Sequence, residues 1–154
     1  MNGKFAKLLY FIVCYVFFLF ADLFFSRMLY HSVSDGFSFS NRVFEITFVK
    51  NTGAAFNLFP DAREFLIILA VVVLTLLFLY VIKNLKSIWF KELFFISMLC
   101  AGVAGNLHER ISLGYVRDFF NLNFISFPVF NISDILINIA VVALVIIILL
   151  KKTK

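Results

Sequence analysis

Residues 65–82 read Phe65-Leu66-Ile67-Ile68-Leu69-Ala70-Val71-Val72-Val73-Leu74-Thr75-Leu76-Leu77-Phe78-Leu79-Tyr80-Val81-Ile82, with no charge and only the hydroxyls of Thr75 and Tyr80. At about 1.5 Å per residue such a helix crosses most of the ~30 Å hydrocarbon layer of a bilayer. Three other runs have the same character: residues 6–25, 90–107 and 132–150. The 154 residues are 63% apolar, and mean hydropathy is +1.02. One small aqueous core cannot bury that excess, so the expected solvent is lipid. The fold class is therefore membrane all-α: a four-transmembrane-helix bundle in a single domain, 1–154, with a small extracytoplasmic β-region. Lys4 and Lys7 before the first run also suit a cleaved leader, but no small-x-small site follows, so it is read as a retained helix.

Charge orients the bundle. Lys4 and Lys7 precede the first run, Lys83, Lys86 and Lys91 join the second to the third, and Lys151, Lys152 and Lys154 follow the fourth. The opposite side mixes Arg27, Arg42, Lys50, Arg63, Arg110 and Arg117 with acids. The lysine-rich side, with both termini, is expected in the cytoplasm. The formal charge of +5 thus reflects topology, and no basic face interleaved with exposed aromatics points to nucleic acid. Cys14 and Cys100 lie in apolar runs and read as small packing residues.

The outer segments are then residues 26–64 and 108–131. Residues 32–41, rich in Ser, Gly, Asp and Asn, read as loop. Residues 42–49 alternate, with Phe44, Ile46 and Phe48 on one face and Val43, Glu45, Thr47 and Val49 on the other, and predict a strand. Asn51-Thr52-Gly53-Ala54-Ala55-Phe56 breaks it with three consecutive small residues, and Asp61 stands near the start of the second helix. Ala101 and Gly105 form a small-xxx-small pair for close helix packing.

Polar groups near the outer helix ends are the informative residues, because such groups are costly at membrane depth. Asn106 and Arg110 share a face of helix three, with Arg110 about 28 Å beyond Lys91. Asn131 and Asp134 share a face of helix four, with Asp134 about 25 Å from Lys151. Asp118 falls in the loop between, and Asp22 at the outer end of helix one. Capping and snorkelling also account for such residues: Asp134 suits a helix N-terminus and Arg110 can reach headgroups.

At these residues the chain resembles the lipoprotein signal peptidase (signal peptidase II) family. Residues 51–56 resemble Asn-x-Gly-Ala-Ala-Phe, and Gly105-Asn106-Leu107-His108-Glu109-Arg110 resembles Gly-Asn-Leu-x-Asp-Arg. Val116-Arg117-Asp118-Phe119 resembles Val-x-Asp-Phe, and Phe130-Asn131-Ile132-Ser133-Asp134 resembles Phe-Asn-x-Ala/Ser-Asp. All four occur in order on a matching topology. Two positions depart: Glu109 replaces the usual Asp, and Ser26, with Arg27 adjacent, replaces a Lys four residues after Asp22.

The resemblance implies an aspartic endopeptidase of the bacterial inner membrane. It would cut diacylglyceryl-modified lipoprotein precursors before the lipid-bearing Cys, with Asp118 and Asp134 as the catalytic pair. Two adjacent carboxyls hold one proton between them, which suits one as base and the other as acid. Asn51, Asn106, Arg110, Asn131, Glu109 and Asp22 match supporting or substrate-binding positions. Asn51 and Asn106 are expected on substrate backbone, Asn131 on a catalytic carboxyl, and Arg110 on carbonyls or Glu109. No cofactor is implied, and His31 and His108 lack metal-ligand spacing. The expected partners are lipoprotein precursors and membrane lipids, with the chain a monomer. A small proton- or ion-coupled transporter would also place Asp and Arg in a membrane, but near its midplane and with an inverted repeat. An assembly factor would tolerate loss of both acids.

Overall fold

The computed structural model describes residues 3–53 and 62–152. Four helices and three strands follow in the order α1 (Gly3–Ser34), β1 (Phe39–Ser40), β2 (Phe44–Asn51), α2 (Arg63–Asn84), α3 (Phe90–Ser112), β3 (Val116–Leu122) and α4 (Ile132–Lys152). Among the described residues all four helices are long and apolar enough to cross a membrane, and the strands form one antiparallel sheet in the order β1-β2-β3. Ala54, Ala55, Phe56 and Asp61, singled out in the sequence, lie outside the described residues.

Helix α3 is the hub. It packs against each of the other three helices, and half of its most apolar window is buried, against 11–17% for the others. Its sequence explains this. Ser97, Cys100, Ala101, Gly102, Ala104 and Gly105 are all buried, so neighbouring backbones approach closely. A Cβ on Gly102 would stand 2.6 Å from the Ser133 carbonyl of α4. One on Gly105 would collide with the Asp22 carboxylate of α1 and the Ser133 hydroxyl. The other helices turn Leu, Ile, Val and Phe outward, as lipid permits. At the lysine-rich end, Phe11, Val81, Leu85, Ile88, Leu93, Ile96 and Cys100 form the apolar cluster.

Two expectations are corrected. The first helix continues past residue 25 to Ser34, so 26–34 of the outer segment is helix, including 32–34, expected as loop. Its final turns carry Ser26, Arg27, His31, Ser32 and Ser34 yet remain helical. Asp118 lies in strand β3 rather than in a loop. Strand β2 pairs with β3 through Phe44 opposite Leu122, Ile46 opposite Phe120, Val49 opposite Asp118 and Asn51 opposite Val116, with a register shift between Ile46 and Val49. That shift inserts one extra residue in β2, and opposed residues share a sheet face. Val49 and Asn51 therefore join Phe44 and Ile46 on the face of Asp118, contrary to the simple alternation expected. The sheet is tied to the end of α1 by Tyr30, which packs 5.2 Å from Phe48 and carries the Arg117 guanidinium 5.3 Å above its ring.

Candidate active site

The acids come from two elements that meet at the sheet end of the bundle. Asp118 is the third residue of β3 and Asp134 the third of α4. Asp118 is 2% exposed, yet each of its oxygens has a donor. Asn131 Nδ2 reaches Oδ1 at 2.8 Å, and Asn51 Nδ2 reaches Oδ2 at 2.9 Å. Asp134 is served likewise: Asn106 Nδ2 donates to Oδ1 at 3.0 Å, and the Asn131 backbone N–H donates to Oδ2 at 3.2 Å.

Asn131 links the two carboxyls. It immediately precedes α4, and its Oδ1 accepts the Asp134 backbone N–H at 2.9 Å, as a helix N-cap does. Its Nδ2 donates to Asn106 Oδ1 at 3.0 Å as well as to Asp118. A continuous path of amides thus runs from Asp118 through Asn131 and Asn106 to Asp134. Asn51 and Asn106, expected on substrate backbone, instead direct their N–H groups at the acids.

The Asp118 carboxyl is raised to about 7, chiefly by burial and also by the neighbouring Asp134, against the lowering effect of the Asn51 and Asn131 donors. At neutral pH this group therefore exchanges a proton readily.

Arg110 turns inward rather than to headgroups. Its Nη2 donates to the Gly53 carbonyl at 2.8 Å and its Nη1 to the Asn106 carbonyl at 3.2 Å. Gly53 N–H in turn donates to Asn51 Oδ1 at 2.9 Å, so Arg110 and Asn51 hold one bend of chain between them. Glu109 does not partner Arg110. Its Oε1 takes Arg117 Nη2 at 2.6 Å and Nε at 2.9 Å, and its Oε2 takes the Arg117 backbone N–H at 2.7 Å. Glu109 thus clamps the residue before Asp118 to the end of α3. The turn between them passes through Gly114, whose φ of +88° favours glycine.

Asp22 lies outside the cavity, buried where α1 meets α3 and α4, and accepts the Ser133 hydroxyl at 2.7 Å. Its Oδ1 has no partner among the described residues. Ser26, where the resemblance expects a lysine, is buried one turn away, while Arg27 is exposed. Sequence reasoning missed Ser133 as the partner of Asp22. It also missed Arg63, whose Nε donates to the Arg110 carbonyl at 2.9 Å and closes the end of α3. The contact joins residues 47 apart in the chain, so no local signal announced it.

The acids border a cavity of about 880 Å³ between the sheet, the end of α3 and the start of α4. Asn51, Asn106 and Arg110 line it on the polar side, and Phe127, Phe130, Ile135 and Ile139 on the apolar side. Ile139 is half exposed, so the cavity runs down α4 and opens onto its apolar outer surface.

The family model described as signal peptidase (SPase) II matches residues 13–150. The lipoprotein signal peptidase of Lactococcus lactis subsp. lactis (strain IL1403) is 37% identical over 110 residues, 71% of this chain and 72% of the relative. That of Streptococcus thermophilus (strain CNRZ 1066) is 36% identical over 106 residues, 68% of each. A solved structure titled as a bacterial membrane enzyme at 2.3 Å superposes with a TM-score of 0.77 and 31% identity, covering 94% of this chain and 89% of the other. A second, at 1.9 Å, gives 0.73 and 29%, covering 90% and 92%. Four membrane helices around a hub of small residues, a three-stranded sheet on one end and these matches together make the chain a member of the signal peptidase II family.

Proposed function

We propose that the chain removes signal peptides from diacylglyceryl-modified lipoprotein precursors by aspartic catalysis, with Asp118 and Asp134 as the reacting pair. The observation that carries this is the amide path through Asn131 and Asn106, which addresses both carboxyls at 2.8–3.0 Å. In this reading Asp118 holds the proton and Asp134 is the base. Asp134 takes a proton from water, whose oxygen attacks the scissile carbonyl carbon, while Asp118 donates to the carbonyl oxygen. The resulting diol returns that proton to Asp118 as the C–N bond breaks, and Asp134 delivers its own to the leaving amine. One water is added across the bond, and the pair returns to its starting state.

The apolar side of the cavity suits the lipid and flanking apolar residues of a substrate arriving from the bilayer. Cleavage falls on the amino side of the lipid-bearing Cys. Among the described residues, strand β2 pairs with β1 only through Glu45 and Ile46, so its later residues offer an extended stretch beside which an unwound length of precursor can lie. The lysine-rich helix ends face the cytoplasm of the inner membrane by the positive-inside rule, and the acids face outward. The chain acts alone on its substrate, embedded in lipid and without nucleic acid. A transporter reading finds no support: Asn106 and Arg110 lie in the last two turns of α3 and Asp134 in the first of α4, far from a midplane site.

Asp118→Asn and Asp134→Asn, expressed in membranes, should each lower precursor processing by about a hundredfold to ten-thousandfold. Full processing by either variant, with its thermal unfolding unchanged, removes the assignment.

A further inference from the structure

A second cavity, of about 450 Å³, opens at the other end of the bundle and is lined by Lys7, Lys86, Ser87, Trp89, Phe90 and Lys91. Its walls come from two parts of the chain. Lys7 lies in the first turns of α1, and its Nζ donates to the Lys86 carbonyl at 3.1 Å. Tyr10, one turn further, packs edge-on against Phe90 at 5.2 Å. The opposite wall is the α2–α3 turn with the start of α3.

Three lysines therefore line the cavity, and among the described residues no carboxylate does. The adjacent acid, Glu92, is already engaged, accepting the Trp89 backbone N–H at 2.9 Å and pairing with Lys151. Lys91 and Lys151 stand over the Trp89 ring at 5.2 and 5.6 Å. Trp89 is 60% and Phe90 48% exposed, so the cationic rim adjoins an open aromatic wall at the depth where the helices end. A free inorganic anion would use the rim and leave the aromatic wall bare. A molecule with an anionic head and apolar chains uses both.

We propose that this cavity binds the phosphodiester headgroup of an anionic phospholipid, with the acyl chains against Trp89 and Phe90. The proposal rests on the helices spanning a bilayer and is independent of the peptidase chemistry at the far end.

Trp89 is the one tryptophan in the chain, so intrinsic fluorescence of the full-length protein reports from this cavity. The protein is reconstituted in phosphatidylcholine vesicles containing a minor fraction of phosphatidylglycerol, with one lipid or the other brominated near the headgroup. Brominated phosphatidylglycerol should quench Trp89 more strongly than brominated phosphatidylcholine at the same mole fraction. Lys7→Gln, Lys86→Gln and Lys91→Gln should each reduce that preference about fivefold, while precursor processing continues. Each preference is a ratio within one variant, so a change in Trp89 brightness cancels. Lys83→Gln, at the same end but outside the lining, should leave it unchanged. Equal quenching by the two lipids overturns the proposal. An equal loss in Lys83→Gln, which would mean diffuse attraction to anionic lipid, also overturns it. So does abolition of the preference by inorganic phosphate, the mark of a free-anion site.

Discussion

Asn51→Ala tests how the acids are tuned. Asn51 Nδ2 donates to Asp118 Oδ2 at 2.9 Å, and this bond opposes the burial that raises the carboxyl, which stands at about 7 with the bond in place. The donor favours the ionised form, so its removal raises the group further. A hydrogen bond to a charged group contributes about 1.5–3 kcal/mol, and one pH unit corresponds to about 1.4 kcal/mol, so the rise is roughly 1–2 units. If Asp118 must carry the proton, activity falls as pH climbs through its value. The alkaline limb of kcat/KM should then move upward from near 7 by roughly 1–2 units. The assay is cleavage of a lipid-modified precursor peptide in mixed micelles across this range. Linkage supplies a second readout. The folded carboxyl holds its proton more tightly than its ordinary value of 3.8, so stability declines as pH rises from there to about 7, and the variant should extend that decline to higher pH. A limb that stays in place or moves to lower pH refutes the reasoning.

Glu109→Gln keeps the shape of the clamp on Arg117 but removes its charge. With the two side chains only 6% and 12% exposed, stability should drop by about 3 kcal/mol, measured by thermal unfolding in detergent, and kcat should fall with it as β3 loosens beside Asp118. Gly102→Ala sets a Cβ 2.6 Å from the Ser133 carbonyl and 3.2 Å from the Ile137 backbone nitrogen. Neither backbone atom can rotate away, so the melting temperature should fall by roughly 5 °C or more. Gly3→Ala, whose Cβ meets nothing within 4 Å, should not change it.

Hydropathy made the four helices legible because it measures compatibility with lipid. For the same reason it ended α1 too early. Ser26, Arg27, His31 and Ser34 read as exit from the membrane, which is distinct from exit from the helix. Strand β3 escaped because Val116, Asp118 and Phe119 are all buried, which blurs the period of two that betrays a half-exposed strand. At two residues, β1 is too short to show a period. The site residues could be named from motifs, whereas their pairings are tertiary. Nothing local says that Glu109 faces Arg117 rather than Arg110, or that a bulge in β2 turns Asn51 toward Asp118.

Asn131 serves both acids, one through its side chain and the other through its backbone, and it also starts the helix that bears Asp134. Any replacement there disturbs both partners of the dyad at once. A lineage abandoning this asparagine would need two simultaneous repairs, on a strand and on a helix start. An inhibitor that hydrogen-bonds to this amide would therefore meet a position with little freedom to mutate around it.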